Sequence, residues 1–248
     1  MFPSTRLSIL AGIRASDAPT RDRAYETLVA SYWKPVYKYL RVRWRLPVED
    51  AEDTTQAFLA AAFEKAFFDR FDPAKARFRT FLRLCVDRFV QNQFKAEARQ
   101  KRGGGQPLLS LDFETAEGEL SRYSPSAPAD LDRFFQQELV RVLFTRAVEQ
   151  VRAAAARKGR HLQFRLFERY DLSGDEGLSY AALAAEFGLS LAQVTNHLAA
   201  MRREFRAAVL EQLRELTTSD EEFEAEAREL FGTQVPAAAL SEVFKSEV

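Results

Sequence analysis

Residues Leu178–Phe205 read LSYAALAAEFGLSLAQVTNHLAAMRREF and carry the signals of two short helices with a turn between them. Ser179 can cap a helix over Ala181–Phe187, and Gly188-Leu189-Ser190 then predicts a tight turn. Ser190 and Gln193 have the spacing of a capping box for a second helix. This order predicts a helix-turn-helix, although an ordinary αα-hairpin can show the same pattern. The second helix is expected to direct four apolar residues inward: Leu191, Val194, Leu198 and Met201.

The rest of the chain also predicts helices. Apolar residues recur at three- and four-residue steps over Arg21–Arg43, Val48–Phe68 and Phe78–Arg99, and again from Leu131 onward. Period-two alternation is lacking, and glycine (10) and proline (9) are few in 248 residues. The fold class is therefore predicted to be all-α, with two small helical domains joined by a flexible linker.

Charge and composition divide the chain. The net charge is zero, but cations dominate residues 70–102 and 141–169, whereas acids dominate residues 103–138 and 211–229. Such blocks suit a protein that binds nucleic acid with one surface and a basic protein with another, or helix faces that pair with each other. Gly, Ser and Pro enrichment marks residues 103–130 as an acidic linker.

Several classes of function are excluded or disfavoured by residue type. With two histidines, His161 and His197, and one cysteine, Cys85, no metal-ligand spacing exists, and neither a phosphate loop nor a nucleophile elbow is present. We therefore expect no enzyme, no cofactor and no metal. Cys85 lies in an apolar run and is expected to be a core residue in a reducing, cytoplasmic compartment. No segment reaches membrane-spanning length.

An acidic helix start raises the question of its partner. The segment DAEDTTQAFL, Asp50–Leu59, opens with three carboxylates in four residues, followed by Thr54 and Thr55. The helical period places Thr54 at the edge of the acidic arc and Thr55 on the apolar stripe. Ala57, Ala60 and Ala61 are expected on the exposed arc, where they add no charge.

Taken together, the chain resembles the extracytoplasmic-function (ECF) branch of bacterial RNA polymerase sigma factors over about residues 21–231. SYWKPVYKYL resembles the first helix of sigma region two, and DAEDTTQAFLAAAFEK resembles its polymerase-docking helix. FDPAKARFRTFLRLCVDRFVQNQFKAEARQKRGGG resembles the promoter-melting and minus-ten segment, and the opening stretch resembles the region-four helix-turn-helix. RFRTFL, QKRGGG before LLSLDF, and EEFEAEARELF resemble a subgroup associated with Ser/Thr protein kinases.

This resemblance implies a domain plan. It gives an N-terminal extension at residues 1–20 and region two at 21–102. The linker at 103–130 leads to region four at 131–216, with the helix-turn-helix at 179–205. An acidic C-terminal extension follows at 217–248.

The resemblance also implies a docking surface for the β′ clamp of core RNA polymerase. The matching residues are Glu49, Asp50, Glu52, Asp53 and Gln56. Ala57 stands where relatives commonly carry an acid, so the surface is short of negative charge. A phosphate on Thr54 or Thr55 would add about −1.5 to −2 charge. We therefore expect a threonine switch for polymerase binding, with the subgroup resemblance favouring Thr55 and the helical period leaving Thr54 open.

DNA contacts are expected on two segments. For the minus-ten element the candidates are Arg77, Arg79, Arg83, Arg88, Asn92, Lys95, Arg99, Lys101 and Arg102, with Asn92 as the base reader. For the minus-thirty-five element they are Ser190, Gln193, Thr195, Asn196, His197, Arg202, Arg203 and Arg206. Relatives often carry cations at the positions of Thr195, His197 and Ala200, so this helix is expected to bind DNA more weakly.

The partners implied are core RNA polymerase (β′ clamp and β flap), promoter DNA and a Ser/Thr protein kinase, and we expect a monomer when free. The main alternative is a helix-turn-helix regulator that binds duplex DNA without polymerase. The acidic docking face and the aromatic, basic third helix argue against that alternative. A helical adaptor that binds only proteins is the third possibility.

Overall fold

The chain was analysed as a computed structural model, which describes residues 12–13, 15–64, 67–72, 74–97, 110–123, 130–175, 177–217 and 219–231. No strand occurs within these ranges, and their regular structure is helical. This confirms the predicted all-α class. The chain divides into two compact units, Met1–Val140 with Glu215–Ser219 and Arg141–Arg214 with Asp220–Val248.

The first unit is built around one long helix. Helix α1 covers Ala18–Arg43 and begins at Asp17, whose carboxylate accepts a hydrogen bond from Thr20 N at 2.9 Å. From Ser31 to Leu40 every residue of α1 except Lys34 is buried, and these include Tyr32, Tyr37 and Tyr39. Burying an aromatic side chain removes a large apolar area from water, so this half of α1 forms the centre of the unit.

Two helices pack on α1. Helix α2 covers Val48–Glu64, and α3 covers Phe78–Glu97. A single 3₁₀ turn, Phe67–Arg70, lies between them. The prediction that the second helix continues to Phe68 was therefore wrong at its end. An apolar stripe cannot show this break, because Phe67 and Phe68 also suit a 3₁₀ turn that buries Phe68.

The expected flexible linker contains a helix. Helix α4 covers Phe113–Tyr123 and is capped by Asp112, whose Oδ1 accepts from Thr115 N at 3.0 Å. Phe113, Ala116 and Leu120 are buried. Their spacing of three and four residues is a helical stripe that was hidden by the Gly, Pro and Ser content of the flanking segments.

Ion pairs fix α4 to α1. Arg41 Nε and Nη2 donate to Glu117 Oε2 and Oε1 at 2.9 and 2.6 Å. Lys34 and Lys38 both donate to Glu119, at 2.7 and 2.5 Å. Bidentate Arg–carboxylate pairs are among the stronger hydrogen bonds in proteins, so α4 is a bound part of the first unit.

The fifth helix supplies residues to both units. Helix α5 covers Leu131–Arg157, and the boundary between the units falls at residue 140 within it. Its first turns belong to the first unit, where Glu138 accepts from the buried Lys38 Nζ at 2.6 Å. Phe135 contacts Tyr39 edge to face, with ring centroids 5.8 Å apart. A buried lysine is tolerated here because two carboxylates neutralise it.

The regular structure of the second unit is helical within its described residues. It contains α6 (His161–Phe167), a π turn (Glu168–Leu172), α7 (Tyr180–Phe187), α8 (Leu191–Leu216) and α9 (Asp220–Phe231). Phe205 of α8 packs against Phe144 and Phe167, with ring centroids 5.5 and 5.8 Å apart. Arg214 joins α9 to α8 through Asp220, at 2.6 Å, and through the ring of Phe223, 4.5 Å away.

Among the described helices, none combines the length and apolarity that a membrane span requires.

Candidate functional site

Helix α2 presents the predicted acidic face to solvent. Glu49, Asp50 and Asp53 are exposed, and Glu52 and Gln56 are half-buried. The opposite face is held in the core by Ala51, Phe58, Leu59 and Ala62, none of which has exposed area. No cation within the described residues forms an ion pair with any of the four carboxylates. Their negative charge is therefore uncompensated within this part of the molecule.

The carboxylates also repel one another. Partial burial raises the pKa of Glu52, and the neighbouring Asp53, Glu49 and Glu117 raise it further. Glu117 belongs to α4, so the linker helix contributes to the field at this face. Like charges in one place favour a cationic partner, because its binding relieves their repulsion.

The alanines of this face are only partly as predicted. Ala57 is exposed and Ala60 half-buried, but Ala61 is 9% exposed and belongs to the core. The position of Ala57 leaves an uncharged gap beside the acidic residues.

The two threonines differ in environment. Thr55 has no exposed area, and its Oγ1 donates to the Ala51 carbonyl oxygen at 2.6 Å. Thr54 is half-buried at the edge of the acidic face. This is the arrangement that the helical period indicates, and it makes only Thr54 accessible while α2 remains folded.

A pocket of about 540 Å³ opens beside α3. Phenylalanine rings form its walls, and cations and amides stand at the same opening. The lining residues are Phe67, Arg70, Phe81, Cys85, Arg88, Phe89, Asn92 and Gln93. Burial raises the pKa of the Cys85 thiol to about 11, despite the opposing charges of Arg88 and Arg70. The thiol is therefore protonated at neutral pH and acts as an apolar wall.

Apart from Arg83, the predicted minus-ten residues fall into three groups. Arg88, Asn92 and Lys95 are exposed on α3, whereas Arg77 and Arg79 are half-buried and interact with other groups. Arg99, Lys101 and Arg102 lie outside the described residues.

Arg83 differs from the other predicted cations. Its side chain is 15% exposed, and its guanidinium pairs with Asp132 and, at 3.2 Å, with Asp87. It also donates to Tyr39 Oη at 3.2 Å. Its charge is already neutralised inside the first unit, so the structure argues for a structural role in place of the predicted DNA contact.

Helices α7 and α8 have the caps that the sequence predicts for the two helices of the expected helix-turn-helix. Ser179 Oγ accepts from Ala182 N at 3.1 Å, and Gly188 ends α7 with φ 66°. Ser190 Oγ accepts from Gln193 N at 3.3 Å, while Gln193 Oε1 accepts from Ser190 N at 2.9 Å. This reciprocal pair is a capping box. Glycine suits the turn because a positive φ carries no Cβ penalty there.

The first turns of α8 carry the predicted recognition residues. Ser190, Gln193, Thr195 and Asn196 are exposed, and His197 is half-buried. Leu191 is 55% exposed, so the prediction that it points inward was wrong. It occupies the first helical position, before the core-facing stripe of Val194, Leu198 and Met201 begins.

The cations further along α8 are not equivalent. Arg202 Nε and Nη2 donate to Asp171 Oδ1 at 3.0 and 2.7 Å, and Nη1 donates to Tyr180 Oη at 3.0 Å. Burial lowers the pKa of Arg202, but the Asp171 pair outweighs this and raises it overall. Arg203 and Arg206 are exposed, and Arg206 interacts with another group. Arg202 therefore holds α8 to the π turn and to α7, whereas Arg203 is exposed on the same helix.

The described residues hold no group of His, Cys, Asp and Glu side chains that could bind a metal ion.

A comparison with protein families finds a match to the model of the ECF sigma factor family over residues 8–211. The chain belongs to the ECF sigma factor family. Neither the curated proteins nor the solved structures gave a significant match. As an ECF sigma factor, the chain is a transcription initiation factor that directs RNA polymerase to promoters. The family is one of transcription factors and not of enzymes, and its partners are core RNA polymerase and promoter DNA.

Sequence reasoning missed two features of this ECF sigma factor. The first is the pair of carboxylates, Glu117 and Glu119, that bind α1. The short apolar stripe from Phe113 to Leu120 was the sequence signal for the helix that carries them. The pocket wall from Phe67 and Arg70 depends on the 3₁₀ turn. Its geometry cannot be read from periodicity, because four residues span only about one helical turn and no apolar spacing repeats within it.

Proposed function

We propose that this ECF sigma factor binds core RNA polymerase through the acidic face of α2. The proposed contacts are Glu49, Asp50, Glu52, Asp53 and Gln56, and the proposed partner surface is the Arg-rich β′ clamp. One observation carries this proposal: the carboxylates are presented to solvent without a cation partner among the described residues. Arginine binds carboxylates bidentately, so a basic helical surface is the complementary partner.

We further propose that docking is regulated by threonine phosphorylation by a Ser/Thr protein kinase. The uncharged Ala57 leaves the face short of one acid, and an exposed ion pair contributes only about 0.2–1 kcal/mol. A phosphate on Thr54 would add about −1.5 to −2 charge next to Asp50 and Asp53, which more than replaces that acid. Thr54 is favoured over Thr55 because its side chain is reachable on the folded helix.

The minus-ten element is proposed to bind along α3. Arg88 and Lys95 would contact the phosphates, and Asn92 would read a base, since an amide donates and accepts. The pocket beside these residues has phenylalanine walls and a polar opening, which suits an unstacked base. The predicted cations Arg99, Lys101 and Arg102 extend the same segment.

The minus-thirty-five element is proposed to bind the first turns of α8 in the major groove. Asn196 and the amide nitrogen of Gln193 are the proposed base-reading groups, with Thr195 and His197 beside them. Gln193 Oε1 already accepts a hydrogen bond from Ser190 N, so this side chain would contact a base only by donating a hydrogen bond from its amide nitrogen. Arg203 and Arg206 would contact phosphates, and the β flap is the proposed polymerase partner of this unit.

In vitro transcription with core polymerase tests the regulated function. Wild-type protein is compared with Thr54→Glu and with Thr54→Gln, a control of similar size without the charge. The proposal predicts more promoter-specific transcript with Thr54→Glu only. No gain with either variant, together with full activity of the unmodified protein, would contradict phosphorylation control.

A further inference from the structure

An aromatic pair lies where the ends of α1 and α3 meet. Trp44 is the C-cap of α1, and Phe94 lies in the last turns of α3. The ring centroids are 5.9 Å apart with planes at 54°, and Phe94 is 46% exposed. Neither residue lines the pocket described above. Phe94 therefore presents part of an aromatic pair to solvent, and neither ring has a role in the proposed function.

The tryptophan is held in a fixed orientation. Trp44 Nε1 donates to Asp87 Oδ1 at 3.0 Å. Asp87 in turn accepts from Tyr39 Oη, at 3.0 Å, and from Arg83 Nη1, at 3.2 Å. The indole is therefore anchored to a partly buried network. Because the Trp44 side chain is already fixed, it loses little conformational entropy when a ligand stacks on it.

One cation contacts the aromatic pair, and two more are its neighbours in the chain. The guanidinium carbon of Arg43 lies 5.4 Å from the centroid of the Trp44 ring. Arg45 follows directly in the chain, and Lys95 follows Phe94; all three side chains are exposed. Within the described residues, none of the three forms an ion pair. Proteins that bind single-stranded nucleic acid use flat rings to stack on the bases and unpaired cations to contact the phosphates.

The backbone at Arg45 is strained. Its φ is 51°, and no other non-glycine residue of the described chain has a positive φ. The position follows the C-cap of α1, where glycine is normally favoured because a Cβ is costly in this conformation. An arginine that persists at such a position indicates a use for its side chain.

We propose that Trp44 and Phe94 form a base-stacking site for single-stranded DNA, with Arg43, Arg45 and Lys95 contacting its phosphates. The site is separate from the pocket beside α3 and lengthens the single-stranded track on the first unit. This proposal rests on the proposed function in one respect: promoter DNA is the source of the single strand that would bind.

The test uses the full chain and the fluorescence of Trp44. The sequence has two tryptophans, so Trp33→Phe leaves Trp44 as the sole indole. Titration with single-stranded oligothymidylate at low salt is expected to quench this signal. Phe94→Leu is expected to weaken binding about 5- to 150-fold, the range for one stacked base. Leu84→Ala, an equally exposed apolar position on α3, is the matched control and should leave binding unchanged.

Two further variants keep the test decisive. If Trp33→Phe impairs folding, Trp44→Phe in the natural background should abolish the quenching, because Trp33 is buried. Arg45→Gly should raise the melting temperature by relieving strain and yet weaken binding. It should also lower the slope of log affinity against log salt by about 0.7.

Equal quenching by duplex DNA, or unchanged affinity in Phe94→Leu, overturns the proposal. Quenching by a basic or acidic control protein but not by DNA would assign the patch to a protein partner and overturn it as well. The measurement needs no polymerase. A chain that binds oligothymidylate but not core polymerase would therefore contradict the proposed function alone.

Discussion

Thr55 Oγ1 donates a hydrogen bond to the carbonyl oxygen of Ala51, one turn earlier on α2, at 2.6 Å. The side chain has no exposed area, whereas that of the adjacent Thr54 is half-buried at the edge of the acidic face. Two neighbouring threonines with the same chemistry therefore stand in opposite environments. A modification that adds charge is compatible with folded α2 at Thr54 only.

This difference predicts how glutamate substitutions affect stability. Thr55→Glu should lower the free energy of unfolding by about 3 kcal/mol or more, because it places an unpaired charge and a larger side chain in the core. Thr54→Glu should change it by less than about 0.5 kcal/mol, as for other surface substitutions. Urea unfolding measures both. Equal stability of the two variants would contradict the burial of Thr55.

Helix α4 is predicted to loosen from α1 in acid. The hydrogen bonds from Arg41 are the largest influence on the Glu117 carboxylate and hold its pKa below the ordinary value of 4.5. A lowered folded-state pKa means that the pair stabilises the fold fully above the unfolded-state pKa of about 4.5. This contribution is lost as the pH falls through the folded-state pKa.

Glu117→Gln removes this titration. It should lower the free energy of unfolding near pH 7 by about 1–3 kcal/mol, since the lost bonds join charged groups. The difference from wild type should shrink as the pH falls below the ordinary carboxyl pKa of 4.5. Ser121→Ala, at an exposed position on α4, is the control and should follow the wild-type pH profile. A Glu117→Gln difference that stays constant down to pH 3 would argue against the pair.

Arg83 and Arg88 should separate stability from DNA binding. Arg83→Ala should lower the free energy of unfolding by about 1.5–3 kcal/mol, because it leaves Asp87 and Asp132 without their cation. Arg88→Ala should leave stability within about 0.5 kcal/mol and reduce affinity for single-stranded minus-ten DNA. Thermal unfolding and DNA titration of each variant check this, and a stable Arg83→Ala protein with weak DNA binding would reverse the assignment.

The second unit should depend on the Arg202–Asp171 pair. Asp171 is 8% exposed, and Arg202→Met would leave its carboxylate buried without a cation. We expect a loss of about 1–3 kcal/mol in the free energy of unfolding, below the figure for a fully buried pair because Arg202 remains partly in water. Arg203→Met is the matched control and should not alter stability. Equal effects of both variants would contradict the bracing role.

Sequence periodicity predicted the helices whose apolar stripes are long, as in α1 and α3, and the caps at Ser179 and Ser190. It failed where a stripe is short, as in α4, or where two phenylalanines suit several conformations, as at Phe67 and Phe68. Those features depend on tertiary contacts, which the pattern of one segment cannot contain.

The candidate sites show the same division. Which residues of α2 face solvent could be predicted from the helical period, so the acidic face and the buried Thr55 were expected. The pairing of Arg83 and Arg202 with carboxylates could not be predicted from the sequence. Asp132 lies 49 residues from Arg83 in the chain, and Asp171 lies 31 residues from Arg202. Sequence indicates a cation but does not show whether that cation is already paired.

The acidic face of α2 is the proposed binding surface for core RNA polymerase. Co-elution of the purified chain with core polymerase, in the absence of DNA, measures this directly. Asp53→Lys should abolish or strongly reduce co-elution, whereas Glu26→Lys, the same charge reversal at an exposed position on α1, should leave it unchanged. Equal retention of the two variants on polymerase would contradict the account.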